Sequence, residues 1–421
     1  MRTAYKCRVY PTPEQAAVFH RTFGCVRLVW NKTLAERRAA FSQRGEKTSY
    51  QQTDAALTAW KKTEELAFLS EVSSVPLQQT LRHQHTAFAG FFAKRARYPR
   101  FKSRTGRQTA HYTRSAFRIK DGELRVAKTD GGLRVAWSFP DVDFATLDPT
   151  MVIISREPDG RWYVSFAMDV DQPTPLPATG HEIGIDLGVK DFAVTSDGDR
   201  IANPRHLQRK ARNLARHQRR LARCQKGSAN RRKAKTRVAV AYRKVRNARR
   251  DFLHKTSTTL IRQADTIVVE DLAVANLTRR PKPVPRRDGT YAPNGAAAKA
   301  GLNKSISDAG WAEFREMLQY KAARTGRTLV VIDRWYPSSK TCSHCGHLLP
   351  KLDLATRHWT CPACRTRHDR DINASKNILA AGRAVAGHNP GEACGADMRQ
   401  QGSSLLRSAV KQEPHTARRP A

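Results

Sequence analysis

The chain has 421 residues, enough for two or three domains with hydrophobic cores of their own. Lys and Arg number 76 against 37 Asp and Glu, giving a formal net charge of +39 and a pI near 10.7. Such an excess repels itself unless a polyanion relieves it, which points to nucleic acid. No stretch approaches the roughly 20 apolar residues of a membrane span, and MRTAYKCRVYPTPEQ holds no apolar signal core, so the expected setting is the cytoplasm or nucleoid.

In chain order, residues 1–10 read as a short strand that stops at Pro11 and Pro13. From Glu14 to about Ala96 the pattern is mostly helical, with Phe19, Phe23, Val26 and Trp30, then Leu77, Leu81, Phe88 and Phe92, recurring at helix spacing. Residues 110–170 change to short alternating runs broken by Asp-Gly turns, the pattern of an antiparallel barrel or sheet. A proline-rich linker, DQPTPLPATG, marks the clearest domain boundary. After it, EIGIDLG, FAVTSDG, TIVVEDL and GRTLVVIDRWYP read as strands, and residues 205–250 as a helical hairpin broken near Gly227. Residues 278–301 read as a flexible basic loop, and 308–326 as an amphipathic helix ending at a glycine. Strands separated by helices predict an α/β domain. The tail from Ala381, rich in Gly, Ser and Arg, is expected to be disordered.

Three carboxylates stand at the edges of apolar elements. Asp186 lies inside I-G-I-D-L-G, Glu270 closes an Ile-Val-Val run, and Asp371 opens the helical D-I-N-A-S-K-N-I-L. A lone carboxylate in an apolar strand is expensive. Three that converge would repel each other unless cations neutralise them, and two Mg2+ ions roughly 4 Å apart, or Mn2+ in their place, would clamp both reacting oxygens of a phosphodiester. Asp271 competes with Glu270 for this role and Asp369 with Asp371, since either rival is as readily a cap or a surface acid. GIDLG also occurs in actin-like ATPases, but the chain lacks their further Gly-rich phosphate loops.

The chain has eight cysteines. Cys342-x2-Cys345 and Cys361-x2-Cys364 have the spacing of a four-thiolate zinc ribbon, in which one structural Zn2+ replaces a core too small to form. An iron–sulfur cluster or a redox pair is the alternative. From Arg205 to Arg250 there are nineteen Lys or Arg and no Asp or Glu. Arg209, Lys210, Arg212, Arg216, Arg219, Arg220, Lys233 and Lys235 on this hairpin are the candidate phosphate contacts, which position a polymer rather than read its bases.

Together these pieces resemble the TnpB family encoded by bacterial insertion sequences, compact relatives of the type V CRISPR nucleases. The matching segments are GIDLGVKDFAVTSDG, VVEDLAVANL, SISDAGWAEFREMLQYKAA, WYPSSKTCSHCG, CPAC and HDRDINASKNIL, with LSEVSSVPLQQTL and DFLHK, over residues 5–380. The resemblance implies an RNA-guided DNA endonuclease with a RuvC, ribonuclease H-like core, and its D-x-N pattern favours Asp371 over Asp369. It implies a bilobed chain of α/β, all-β and helical parts. A wedge-like β-barrel is expected from 1–10 and 105–172, a helical recognition region from 11–104, and a linker at 173–180. The nuclease domain would then comprise 181–336 and 365–380, interrupted by a zinc-ribbon insertion at 337–364. The implied partners are a guide RNA from the element's end and double-stranded target DNA beside a short motif, with no small-molecule substrate. By similarity Tyr50, Ser74, Val75 and Gln78 lie where the family reads that motif; Ser74 stands where some members have lysine, and DINAS where DxNAA is usual. A nuclease-inactive RNA-guided repressor, or a transposase acting directly on element ends, is the alternative function.

Overall fold

A computed structural model describes residues 2–140, 142–170, 174–353 and 355–388. Pro173, Cys394 and the tail beyond 388 lie outside the described residues. The chain divides into two compact units, one ending at Asp171 and the other starting at Gln172.

The first unit opens with strand β1 (Arg2–Tyr10) and helices α1 (Pro13–Arg44), α2 (Tyr50–Trp60) and α3 (Ser74–Phe92). Thr12 with Gln15, and Ser49 with Gln52, form reciprocal caps that fix the starts of α1 and α2. Strands β2 (Gln108–Thr113), β3 (Phe117–Lys120), β4 (Glu123–Val126), β5 (Arg134–Ala136), β6 (Met151–Arg156) and β7 (Trp162–Asp169) follow. The antiparallel sheet runs β2-β6-β7-β1-β5, with β3 and β4 forming a hairpin tied to it by a Leu124–Leu133 bridge. This is the part expected as a wedge-like barrel. One core joins Phe19 and Phe23 of α1 to Val152, Ile154, Val164 and Phe166 of the sheet. A second core, with Val29, Leu57, Leu77 and Leu81, holds the three helices together.

The second unit contains β8 (Glu182–Leu187), β9 (Asp191–Thr195), β10 (Arg200–Ala202), α4 (His206–Arg223), α5 (Ala229–Gln263) and β11 (Thr266–Glu270). Then come α6 (Val274–Leu277), the two-residue strands β12 (Val284–Pro285) and β13 (Tyr291–Ala292), α7 (Ala296–Ala309), α8 (Trp311–Thr325) and β14 (Thr328–Ile332). The last elements are β15 (His358–Thr360), β16 (Arg367–Asp369) and α9 (Arg370–His388). The sheet order is β10-β9-β8-β11-β14: three antiparallel strands, then two strands parallel to β8 and reached through helices, which is the ribonuclease H-like topology. β11 is sandwiched, so TIVVE is buried on both faces, whereas β14 at the sheet edge buries Val330 and Ile332 on one face and leaves Val331 exposed on the other. Ile267 and Val269 face α5 and α8 beside Leu253, Leu260, Phe314 and Leu318, while Val268, Val330 and Ile332 face Ile378 of α9.

Three expectations need correction. Residues 278–301 are not loop throughout: α7 begins at Ala296, because Ile306 and Ala309 reach the core and reward helix formation. The single helix expected at 308–326 starts at Trp311, since Gly310 sits at φ +75 and breaks the chain between α7 and α8. The tail expected to be disordered from Ala381 is helical to His388, its Gly382 packed against Val268.

Candidate active site and metal centre

The register of the central strands decides where the first two carboxylates go. β8 and β11 are parallel, with Gly184 opposite Val268 and Ile185 opposite Val269. Successive side chains alternate between faces, so Asp186 and Glu270, one step further on, share the face of Gly184 and Val268. Helix α9 covers that face at unusually short range. A Cβ on Gly184 would lie 2.1 Å from the Ser375 carbonyl oxygen, and one on Gly382 would lie 2.4 Å from Cγ1 of Val268. Only glycine permits this approach. With Ser375 seated over Gly184, Asp371 one turn earlier is carried over the strand end that holds Asp186.

The electrostatics agree with this placement. Burial, followed by the negative charges of Glu270 and Asp371, pushes the Asp186 carboxyl up to about 7, against partial relief from Arg370 and Arg357. Glu270 is also raised by burial, with the Ser338 hydroxyl partly offsetting it. That hydroxyl donates to Glu270 Oε1 at 2.6 Å. Asp371 pairs with Arg357 at 3.4 Å and more loosely with Arg200 at 3.9 Å. Two acids held above their ordinary range beside a third form a donor set short of positive charge. Hard oxygen donors of this kind suit Mg2+ or Mn2+.

Both rival acids are occupied elsewhere. Asp271 is held by Arg315 and Arg334, whose charges and hydrogen bonds keep its carboxyl below the usual range despite some burial. Asp369 caps α9, its Oδ1 accepting from the backbone N–H groups of Asp371 and Ile372 at 3.0 and 3.1 Å. Its Oδ2 meets Arg200 at 2.7 Å and His358 at 3.5 Å.

The cysteine set is compact. The sulfurs of Cys342, Cys345, Cys361 and Cys364 all lie within 4.8 Å of one another. The Cys342–Cys364 and Cys345–Cys361 pairs, at 3.7 and 3.6 Å, match the edge of a tetrahedron with arms of about 2.3 Å, so the donor set fits zinc. Among the described residues this is the one group of three or more Cys, His, Asp or Glu gathered tightly enough to enclose a single ion. Asp186, Glu270 and Asp371 do not form such a group. Buried His368, its ring tilted against Trp359 with centroids 4.7 Å apart, brings Nε2 to 3.0 Å from the Cys342 sulfur. Its N–H donating there would support the thiolate. Cys7, Cys25 and Cys224 are free thiols.

The candidate nucleic-acid residues fall in both units. Arg209, Lys210, Arg212, Arg216, Arg219 and Arg220 on α4, with Lys233 and Lys235 on α5, are all exposed. α4 buries only Leu214 and leans on α5 through the Gln218–Tyr242 hydrogen bond at 2.9 Å, and its arginines line the exposed face opposite Leu207, Leu214 and Leu221. In the first unit Tyr50 begins α2, its ring 5.9 Å from the Arg82 guanidinium of α3. Ser74 begins α3 and lines an open cavity of about 380 Å³ with Ser73, Lys61 and Lys128. Gln78, one turn further along α3, is half-buried, and Val75 packs against the sheet core.

Sequence reading passes over several residues that complete these sites. Ser338, Arg200 and Arg357 become visible only through their partners. The D-x-N pattern contains Asn373 without giving it a task. Its Nδ2 donates to the Thr341 carbonyl at 2.7 Å and its Oδ1 accepts from Ser343 N–H at 2.9 Å. Asn377 Nδ2 donates to the Ser338 and Thr341 carbonyls at 2.7 and 2.6 Å.

Comparison with known proteins gives this arrangement its relatives. A family model described as "Probable transposase" matches residues 165–280, one described as "Cas12f1-like, TNB domain" matches 311–378, and one described as "Helix-turn-helix domain" matches 1–46. The last region is here a strand followed by one unbroken helix. The chain is 51% identical over 420 residues to a protein of Streptomyces pristinaespiralis named "Putative RNA-guided DNA endonuclease", covering 99% of this chain and 97% of that one. It is 31% identical over 411 residues to InsQ of Escherichia coli (strain K12), which carries the same name, with 98% and 97% covered. A "TnpB-like protein" of Acanthamoeba polyphaga mimivirus is 24% identical over 246 residues, 56% of this chain and 44% of that one. At the identity and coverage of its two full-length relatives, the chain belongs to the TnpB family of insertion-sequence proteins.

Proposed function

We propose that this chain is an RNA-guided DNA endonuclease whose cutting site is built from Asp186, Glu270 and Asp371. The observation that carries the reading is the convergence of these groups. Strand register and the α9 crossing bring three carboxylates to one end of the sheet, and the other two charges act on Asp186. Bound Mg2+ or Mn2+, two ions in this reading, would supply a lowered water pKa and a clamp on the attacking and leaving oxygens of the phosphodiester. The protein's share is to hold the donors. Asp186 and Glu270 come from the sheet and Asp371 from the first turn of α9, while Asp369 and Asp271 fix the helix start and the strand end. One Zn2+ on the four cysteines keeps the ribbon folded.

The guide RNA, taken from the element's end, lies along the exposed cations of α4 and α5, which hold backbone phosphates and leave sequence to base pairing. Tyr50, Ser74, Val75 and Gln78 face the short motif beside the target. The substrate is double-stranded DNA, and the work is done at the nucleoid of a bacterial cell. Among the described residues no helix is long and apolar enough to cross a membrane.

The test is cleavage of a plasmid bearing the guided target by the RNA-loaded protein with Mg2+. Asp186→Ala should retain the RNA and lose cutting by about three orders of magnitude or more. Supercoiled product from the unaltered protein would favour a repressor. Strand transfer by protein free of RNA would favour a transposase.

A further inference from the structure

Residues 338–343 lie between the two metal-ligand sets and touch both. At one end the Ser338 hydroxyl donates to Glu270 Oε1 at 2.6 Å. At the other, Cys342 supplies a sulfur to the zinc cluster. The segment is gripped from α9 by two buried amides. Asn377 reaches the Ser338 and Thr341 carbonyls, and Asn373 reaches the Thr341 carbonyl and the Ser343 N–H. Asn373 and Asn377 are 1% and 5% exposed and Ser338 is 7% exposed, so these bonds are made away from competing water. Asn373 is two residues from Asp371 on the same helix, so the segment ties a carboxylate of the sheet to one of the helix.

We infer that Ser338 is a positioning residue, which fixes the rotamer of Glu270 for divalent-ion binding and transmits to it the order that zinc imposes on the ribbon. This rests on the reading of the triad given above. The physical reason lies in the geometry of Glu270. Its Oε1 takes the Ser338 hydroxyl, and its Oε2 has no protein partner among the described residues. A glutamate has three side-chain torsions, and without that bond it must order them when it takes up an ion. Serine hydroxyls can turn freely, but the carbonyl of Ser338 is anchored by Asn377 and its Cα cannot drift. Partners of metal-ligating carboxylates at this remove typically account for about 10–100-fold in metal affinity.

The experiment uses the full chain loaded with guide RNA, in four forms: unaltered, Ser338→Ala, Ser338→Thr and Asp186→Ala. Two quantities are read against Mg2+ or Mn2+ concentration: cleavage rate and the metal-induced rise in melting temperature. Zinc content and RNA affinity are measured beside them. Ser338→Ala should raise the half-saturating Mg2+ about 10–100-fold while the rate at saturation changes less and zinc and RNA binding stay as they were. Ser338→Thr, which keeps the hydroxyl, should return within a few-fold of the unaltered protein. An Ala variant that titrates like the unaltered chain overturns the inference, as does a Thr variant as impaired as Ala, since the hydroxyl would then be irrelevant. Should Ser338→Ala shed zinc or RNA, Ser338→Cys, nearly isosteric and a weak donor, carries the same comparison. Asp186→Ala separates the two claims. If it keeps the metal-induced rise, the triad reading itself fails; if it loses the rise while Ser338→Ala behaves normally, only the role of Ser338 fails.

Discussion

The four sulfurs of the zinc centre come from two knuckles within residues 342–364, each a C-x2-C turn that sets its own geometry. The three carboxylates come from Asp186, Glu270 and Asp371, and nothing local brings them together; they meet because β8 pairs with β11 and because α9 lies flat across Gly184. The two sets therefore differ in what can break them. A ribbon fails when a ligand is lost, whereas the triad fails when remote packing shifts. The chain joins them through Ser338 and the two asparagines of α9, so that the locally determined centre braces the globally determined one.

Removing a ribbon ligand should give the largest effect. Structural zinc contributes about 10–16 kcal/mol in isolated zinc-finger peptides at neutral pH, so Cys342→Ser should lose zinc and order together. Hydrogen exchange of residues 338–369 should become fast while amides of β8 and β11 stay protected. Protected ribbon amides in a zinc-free protein would break the contrast.

The triad should respond instead to a methyl group. Gly184→Ala places Cβ 2.1 Å from the Ser375 carbonyl, and backbone cannot swing away like the end of a side chain. Forced overpacking of this kind costs about 1–3 kcal/mol, and it displaces α9 with Asp371. Cleavage should therefore fall by more than the loss in folded fraction explains. Gly24→Ala is the control, since a Cβ there meets nothing within 4 Å and alanine stabilises a helix interior by up to about 1 kcal/mol. Denaturant melts and cleavage rates on the two variants check both statements.

Acidity should produce a smaller shift, with a definite sign. The folded-state value for Asp186 is about 7, above the roughly 3.9 of an unfolded aspartate. The folded protein thus holds a proton between those values that the unfolded chain releases, and without Mg2+ stability falls as pH rises through that window. Asp186→Asn removes this penalty. At pH 8 without added Mg2+ it should be more stable than the unaltered protein by about 1–3 kcal/mol, and near pH 4 the two should coincide. A variant less stable at pH 8 would mean that the carboxylate is already compensated.

How much of this was legible in the chain follows the same division. The cysteine spacing and the I-G-I-D-L-G strand carry their meaning locally, and so does the sheet, whose strands are apolar runs bounded by turn residues. Choosing Glu270 over Asp271 does not, because the distinction lies in Arg315 and Arg334, far along the chain. Asp369 and Asp371 look alike in sequence; one proves to be a cap because its oxygen meets the backbone of the next turn. Helix α7 is masked by the Pro, Gly and Arg residues before it, and only Ile306 and Ala309 reach the core to justify it. The Ser338 bridge has no sequence signal at all, since a serine before a zinc knuckle is an ordinary turn residue.

The most direct test is anomalous diffraction from Mn2+ in crystals of the RNA-loaded protein. Two peaks about 4 Å apart, ringed by oxygens of Asp186, Glu270 and Asp371, are what this account requires. Manganese bound instead at Asp369 or Asp271, with the three acids left empty, would contradict it.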